Sequence, residues 1–234
     1  MRIPVARSRS AAALAASILA ACGGADRLPG REAVPSLATL ASPAGPGADR
    51  LRAGDLAGAR ASFEAALSSD PGKLGALNDL AVSYVLEGHS DAARRLLDEV
   101  VANGDTPEQQ AAIVNLGELL AADGYVSAAQ AYFETARGLD GSRPEPLYAL
   151  ALLSDSRGDL DGARSFLRDA IRRDETGASR ATFFYVNPEE RVHLDALVAE
   201  QSGDVAAAQD RWRALAQGRY AALAAAAERH LAGE

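Results

Sequence analysis

The chain has little cysteine, little aromatic character and fewer basic than acidic residues. Cys22 is the single cysteine among 234 residues, so no disulfide can form within one chain. Aromatic residues make up only 5% of the sequence while alanine dominates, and this balance favours helix over strand. The net charge of −8 at pH 7 argues against nucleic acid as a partner, because binding to phosphates requires a basic patch.

The sequence also lacks the patterns that accompany common catalytic and metal sites. It contains no phosphate-binding glycine loop, nucleophile elbow or His-Glu-x-x-His motif. Glu190-x-x-His193 occurs once, whereas a di-iron bundle requires this pattern twice. Asp155, Asp159 and Asp161 lack the glycine and ligand order of a calcium loop, and we interpret them as a turn and a helix cap. We therefore predict that the protein is not an enzyme and carries no metal or other cofactor.

The first residues have the features of a targeting segment. Three arginines in the first nine residues precede a mostly apolar, uncharged run over residues 11–21. This run is too short to cross a bilayer, which takes about 20 residues. It ends in Leu19-Ala20-Ala21-Cys22, followed by Gly23. The motif resembles the lipobox of bacterial lipoproteins, in which a leucine and two small residues precede the cysteine that receives lipid.

That resemblance implies that residues 1–21 are a signal peptide and that lipid on Cys22 anchors the protein to a membrane of the bacterial envelope. In the resembled proteins an aspartate after the cysteine favours retention in the inner membrane. Gly23 takes that place here, which leaves an outer membrane location facing the periplasm open. The alternatives are an ordinary cleaved signal peptide or a small core cysteine. Residues 22–47 are rich in Gly, Pro, Ala and Ser, and we predict that they form a flexible tether.

A short pattern recurs five times after residue 47, and its best copy is Gly54–Pro71. In each copy an alanine follows a glycine after five residues and a bulky apolar residue follows after nine. The three sets are Gly54, Gly88, Gly124, Gly158 and Gly203; Ala59, Ala93, Ala129, Ala163 and Ala208; and Phe63, Leu97, Phe133, Leu167 and Trp212. Successive glycines are 34 (54 to 88), 36 (88 to 124), 34 (124 to 158) and 45 (158 to 203) residues apart. Such spacing indicates a stack of similar structural units.

A second pattern precedes each of the later glycines. Apolar or small residues stand eleven, eight, seven and four positions before the glycine, which places them on one face of a helix. Asp195, eight positions before Gly203, departs from this pattern. Before Gly88 these residues are Leu77, Leu80, Ala81 and Tyr84. The residues after the glycine form another such face. Each unit is therefore predicted to be a pair of helices joined by a glycine turn.

This combination resembles the tetratricopeptide repeat over nearly all of the chain after residue 47. The resemblance implies an all-α fold, an α-α superhelix of about four to five helix-turn-helix repeats over residues 48–232, ending in a capping helix from Arg219 to Ala232. The long last spacing predicts an insertion at about residues 176–188. We expect its Phe183-Phe184-Tyr185-Val186 stretch to pack against the repeats, and the alternatives are an exposed partner contact or a lid over the groove.

In this family the first helices of the repeats line a concave groove, and the resemblance implies that the groove binds a protein or peptide partner. The residues expected to line it are Asn78, Val82, Asn115, Glu118, Tyr148, Leu152 and His193. Asn115 can hydrogen-bond both the donor and the acceptor of a peptide backbone. The basic residues that would bind a C-terminal carboxylate are missing, so we expect an extended or helical peptide with basic and apolar character.

Three functions follow as hypotheses, and the oligomeric state is not predicted. The first is a membrane-anchored scaffold or adaptor for protein partners in the cell envelope, for example in the assembly of pilus or secretion machinery. The second is a regulatory subunit that binds a small molecule or lipid in the groove. The third is an enzyme with an unconventional site that uses His193 or Glu200.

Overall fold

The computed structural model describes residues 37–233, and eleven α-helices follow one another in this part of the chain. The helices are α1 (Pro46–Arg52), α2 (Leu56–Ser69), α3 (Leu74–Leu86), α4 (Ser90–Asn103), α5 (Thr106–Ala122), α6 (Val126–Leu139), α7 (Glu145–Ser156), α8 (Leu160–Arg173), α9 (Pro188–Gln201), α10 (Val205–Ala216) and α11 (Ala221–Ala232). A single 3-10 turn, Arg180–Thr182, lies between α8 and α9. The predicted all-α class is confirmed. Residues 1–36 lie outside the described residues, and with them the predicted signal peptide and Cys22.

The recurring glycines close the turns between paired helices. Gly54, Gly88, Gly124, Gly158 and Gly203 have φ angles between 76° and 85°. This left-handed region is open to glycine at no steric cost. After three of these turns an aspartate caps the second helix of the pair by accepting a backbone N–H, namely Asp55, Asp159 and Asp204. The glycine therefore turns the chain and the aspartate begins the next helix, which makes each hairpin a local product of its sequence.

Successive helices pack against one another in chain order, which gives the repeated hairpins of a solenoid. The five alanines after the turns are at most 3% exposed, and the five bulky residues are at most 7% exposed. Small side chains let two helix backbones approach, and the bulky residues fill the space between neighbouring repeats. The predicted superhelix of helix-turn-helix repeats is confirmed. The final helix α11 buries Leu223, Ala226 and Ala227 against the stack, while its Leu231 is 40% exposed, as expected of a capping helix.

Gly117 marks one place where the helices of a repeat come unusually close. An added Cβ at this position would lie 2.5 Å from Cε1 of Phe133, whose ring is 1% exposed. We therefore expect Gly117→Ala to lower the free energy of unfolding by about 1–3 kcal/mol, because the ring has no free space into which it could move. Gly138→Ala is the matched control. A Cβ there meets nothing within 4 Å, so the same change in α6 should raise stability by about 0.4–1 kcal/mol. Urea denaturation measures both, and equal effects would contradict the close approach.

The tether predicted over residues 22–47 is wrong in its last part. Leu37, Ala38, Thr39 and Leu40 are at most 4% exposed, and α1 already begins at Pro46. The glycine, proline and alanine content suggested a solvated linker, but the two leucines bury apolar surface against the repeats. Residues 37–42, called the groove segment below, are part of the folded structure. None of the helices formed by residues 37–233 has the length and apolarity needed to cross a membrane.

Candidate functional site

The predicted groove residues lie on the first helices of four successive hairpins, α3, α5, α7 and α9. All of them are at most 2% exposed: Asn78, Val82, Asn115, Glu118, Tyr148, Leu152 and His193. An open groove would leave its lining in contact with water. The structure instead places the groove segment across α3 and α5, where the two predicted asparagines contact its main chain.

The main chain of Thr39 is held by two amide side chains. Asn115 Oδ1 accepts the N–H of Thr39 at 2.8 Å, and Asn115 Nδ2 donates to the carbonyl of Thr39 at 2.9 Å. Asn78 Nδ2 donates to the same carbonyl at 3.1 Å, while Asn78 Oδ1 accepts from Asn115 Nδ2 at 3.0 Å. Asn115 therefore binds both the donor and the acceptor of a peptide backbone, as expected, but this backbone belongs to the same chain. These bonds are made to the main-chain groups of Thr39, and its hydroxyl adds only a longer contact of 3.4 Å with Asn115 Oδ1. The two asparagines therefore recognise chiefly the peptide backbone.

Asp79 continues this recognition along the groove segment, and the sequence analysis did not select it. Its carboxylate accepts the N–H of Ala41 at 2.8 Å and that of Ser42 at 3.3 Å. Burial raises the pKa of Asp79 to about 7, although hydrogen bonds from Asn78, Ala41 and Ser42 act in the opposite direction. Its position directly after Asn78 lies off the expected groove positions, so no periodic signal pointed to it.

The insertion between α8 and α9 covers the other side of the groove segment. Ala38 and Phe184 pair as in an antiparallel sheet, with N–H to carbonyl distances of 2.7 and 3.0 Å. The ring of Phe183 is 7% exposed and meets Tyr148 edge-on at 5.5 Å between ring centres. The aromatic stretch therefore packs against the repeats, as expected, and its residue Phe184 also pairs with the groove segment.

Tyr148 contacts the insertion through its hydroxyl group. Its hydroxyl donates to Asp174 at 3.1 Å and accepts from Arg180 at 3.0 Å. Asp174 in turn accepts the N–H groups of Ser179 and Arg180 at 2.9 and 3.0 Å. The prediction that Tyr148 faces a partner in the open groove therefore needs correction, because its polar atom is engaged within the chain. The insertion was predicted from spacing alone, and no local pattern identified Asp174 as its anchor.

His193 also departs from the expected groove position. It lies in a buried cluster, called the histidine cluster below, with Asp155 at its centre. The two oxygens of Asp155 contact Nε2 of His193 and Nε2 of His230, each at 2.7 Å. Nδ1 of His230 lies 2.8 Å from Glu200, and Nδ1 of His193 lies 3.6 Å from Glu190. The cluster joins α7, α9 and α11, so we assign it to the structure of the C-terminal repeats rather than to partner contact.

Ionic hydrogen bonds dominate the titration of the histidine cluster. Burial alone would lower the pKa of His193, but the hydrogen bond to Asp155 and the nearby carboxylate of Glu190 raise it to about 9. Burial would also lower the pKa of His230, but hydrogen bonds to Asp155 and Glu200 raise it to about 9. Burial would raise the pKa of Asp155, yet the two histidines hold it well below its usual range. Within residues 37–233 no group of three or more His, Cys, Asp or Glu side chains is arranged to hold a metal ion.

These pKa values predict that stability falls as pH rises. Both histidines have folded pKa values of about 9 against 6.5 for the free side chain, so the folded state binds more protons between these limits. The contribution is complete below pH 6.5 and is lost as pH rises through 9. Each shift is about 2.5 pKa units, so at 1.36 kcal/mol per unit we expect a loss of about 3 kcal/mol for each histidine, measured by urea denaturation from pH 6 to 10.

The third histidine provides the control for this pH profile. The His89 side chain is 61% exposed, so His89→Gln should leave the profile unchanged. His230→Gln should remove a large part of the decline, since one of the two raised pKa values is then absent. A wild-type profile that stays flat between pH 6.5 and 9.5 would contradict the ionic interpretation of the cluster.

An open cavity lies where the groove segment ends. It has a volume of about 520 Å³ and is lined by Ser42, Phe63, Lys73 and Asp79, among others. The first hairpin here has only the short helix α1, Pro46–Arg52, where the later hairpins have a full first helix. The cavity therefore lies at the incomplete end of the stack, and its volume is in the range of small-molecule sites.

Residues 50–117 match the sequence pattern of the tetratricopeptide repeat. No curated protein sequence matches the chain. The crystal structure of the APC/C hetero-tetramer Cut9–Hcn1 is similar with a TM-score of 0.56 and 19% identity. That similarity covers 71% of this chain but 31% of the other, so the chain spans about a third of the length of that neighbour.

Two further solved structures show lower TM-scores. The crystal structure of MamA has a TM-score of 0.43 and 20% identity, covering 82% of this chain and 99% of that one. The crystal structure of PilW, a type IV pilus biogenesis factor, has a TM-score of 0.36 and 18% identity, covering 76% and 94%. The glycine turns, the buried alanines, the matched residues 50–117 and the Cut9–Hcn1 similarity agree with one another. Residues 50–117 therefore match the tetratricopeptide repeat, and the later hairpins of the chain have the same helix-turn-helix geometry.

Proposed function

We propose that the protein is a peptide-binding scaffold whose concave groove holds an extended segment of a protein partner. One observation carries this proposal: Asn78 and Asn115 satisfy both the donor and the acceptor of one extended residue, Thr39. Tetratricopeptide repeats generally act as protein interaction surfaces, and this geometry supports a main-chain mode of recognition for this one. A partner segment with the same backbone conformation would satisfy the same groups.

The scaffold is further proposed to be anchored in the bacterial envelope by lipid on Cys22, in the outer membrane facing the periplasm. The support is the sequence Leu19-Ala20-Ala21-Cys22 after a short apolar run. Two or more acyl chains give stable anchoring, whereas one gives only marginal binding. Wild-type protein should remain with membranes until detergent is added, and Cys22→Ser should move to the soluble fraction. Membrane retention of Cys22→Ser would overturn the anchoring.

Site-specific photo-cross-linking in intact cells tests the scaffold function. Ser42 is exposed at the end of the groove segment, and Val205 is 62% exposed at the start of α10. A photoreactive residue at position 42 should give a discrete cross-linked product that is absent when the same residue stands at position 205. Asn115→Ala should abolish the product, because the main-chain recognition is lost.

The matched control for Asn115→Ala is Asn103→Ala. Asn103 is an exposed residue at the end of α4, whose side chain donates only to the carbonyl of Glu99. Its replacement should leave the cross-linked product unchanged. A product that persists in Asn115→Ala would show that the partner binds elsewhere on the repeats. Assembly of an envelope complex, such as pilus or secretion machinery, is the cellular setting that we propose for such an anchored scaffold.

A regulatory subunit that binds a small molecule is the second candidate, and the cavity lined by Phe63, Lys73 and Asp79 favours it. Its volume of about 520 Å³ would admit a drug-sized ligand. Native mass spectrometry of the purified protein tests this candidate, since a retained small mass would support it and a spectrum of the protein alone would count against it. The hypothesis that the protein is not an enzyme stays a prediction.

A further inference from the structure

We propose that the groove segment, residues 37–42, is a built-in competitor of the partner, and that it shows which class of peptide the groove accepts. The inference rests on the proposed peptide-binding function. The groove would be closed by the chain's own segment and would accept a partner only when that segment moves out.

The first support is the way in which the groove segment is held. Its described bonds are a backbone pair between Ala38 and Phe184 and hydrogen bonds from Thr39, Ala41 and Ser42 to side chains on α3 and α5. None of these atoms belongs to the hydrogen-bond ladder of a helix. The groove segment can therefore leave the groove while α1 to α11 keep their backbone bonds.

The second support is the short connection between the groove segment and the first hairpin. Only residues 43–45 separate it from α1, and Gly45 has a φ of 113°. Arg52 of α1 bonds the carbonyl of Pro43, which fixes the near end of the connection. Gly45 lies between this bond and α1, so a change in its backbone would move the groove segment and release the bond between Arg52 and Pro43 at the same time, and glycine accepts both signs of φ.

The chemistry of the groove segment defines the ligand class. Its two large side chains, Leu37 and Leu40, are 0% and 4% exposed and belong to different hydrophobic clusters. Residues 37–42 carry no charge. The groove therefore accepts an extended, uncharged peptide with two large apolar residues three positions apart and a free N–H at the position of Thr39. This differs from the basic character that the sequence suggested.

The groove segment competes strongly with a free peptide because it is joined to the groove within one chain. A segment joined by a short linker acts at an effective concentration in the millimolar range. A free peptide of the same sequence at micromolar concentration should therefore not displace it. A natural partner would need additional contacts, or conditions that favour the open state of the groove segment.

Peptide binding to the full chain tests the competitor. The probe is a fluorescently labelled synthetic peptide with the sequence of residues 35–43, Pro-Ser-Leu-Ala-Thr-Leu-Ala-Ser-Pro. Thr39→Pro in the chain removes the N–H that Asn115 accepts, so the chain's own segment is weakened while the groove is unchanged. We expect this variant to bind the probe at least tenfold more tightly than wild type. Thr39→Ser keeps both the N–H and the hydroxyl, which lies 3.4 Å from Asn115 Oδ1, and should bind the probe as weakly as wild type.

Hydrogen exchange on the unmodified full chain provides an independent measurement. If the groove segment opens locally, the amides of Ala38, Thr39 and Ala41 should exchange at least 100-fold faster than that of Leu119 in the middle of α5. Equal exchange rates would overturn the proposal that the groove segment is a competitor, but not the proposal that the protein is a peptide-binding scaffold. Fast exchange, together with a folded Thr39→Pro variant that does not bind the probe, would overturn both proposals.

Discussion

Asp155→Asn is expected to lower the free energy of unfolding by about 3–5 kcal/mol. The substitution preserves size but removes the negative charge between His193 and His230, whose side chains are 0% and 3% exposed. Asparagine keeps one acceptor oxygen but no charge, so the two buried histidines lose their shared counter-charge and only Glu190 and Glu200 remain near them. Each histidine must then either lose its proton or remain charged with less compensation. Both outcomes cost free energy in the folded state only. Urea denaturation at pH 7 measures the effect, with circular dichroism to confirm that the variant is helical.

The control for this variant is the same substitution at the surface. The Asp161 side chain is 100% exposed, and its contact with Arg164 is 3.6 Å long. An exposed ion pair of this kind contributes little, so Asp161→Asn should change stability by less than about 0.5 kcal/mol. The decline of stability between pH 6.5 and 9 should also be reduced in Asp155→Asn. A variant as stable as wild type, with an unchanged pH profile, would show that Asp155 is not the counter-charge of the cluster.

Trp212→Ala should cost a similar amount, about 3–5 kcal/mol, for a different reason. Trp212 is 2% exposed and fills the space between the last hairpin and α11. Its ring stacks on His230 with 4.1 Å between ring centres and an angle of 8°. Removing the ring leaves a large cavity and lets water reach the histidine cluster. Thermal or urea denaturation should therefore show a large loss of stability.

Trp212→Phe separates packing from hydrogen bonding. Trp212 Nε1 donates to Glu200 at 3.1 Å, and phenylalanine removes this bond but keeps most of the buried ring. We expect Trp212→Phe to cost about 0.5–1.5 kcal/mol for the hydrogen bond, plus a smaller packing term. If Trp212→Phe were as destabilising as Trp212→Ala, the hydrogen bond to Glu200 rather than the packing would account for the contribution of Trp212 to stability.

The parts of the fold that could be predicted are those encoded locally and repeated. Gly88 closes a turn with its own neighbours, and Ala93 and Leu97 face inward because of helical periodicity. A copy that departs from the pattern at one position can still be recognised, because the other copies establish the spacing. The last hairpin shows this well, since Asp195 stands where an apolar residue was expected and the hairpin forms around Leu194 and Ala196, both 0% exposed.

The candidate site was predictable only in part, because its contacts join distant residues. Asn115 was recognised as a residue that can bind a peptide backbone, yet its ligand Thr39 lies 76 positions away in a segment with the composition of a linker. Asp155 and His230 are 75 positions apart and share no motif. Their meeting depends on how α7 and α11 are stacked, which no local pattern determines.

On our proposal, the groove of this repeat protein binds an extended peptide backbone and is filled by residues 37–42 of the same chain. Nuclear Overhauser effects in the isotope-labelled full chain test this arrangement without any substitution. We expect a cross-peak between the amide proton of Thr39 and the side-chain amide protons of Asn115, whose atoms form hydrogen bonds of 2.8 and 2.9 Å with the Thr39 backbone. Absence of this cross-peak, with random-coil shifts for Thr39 and Ala41, would contradict it.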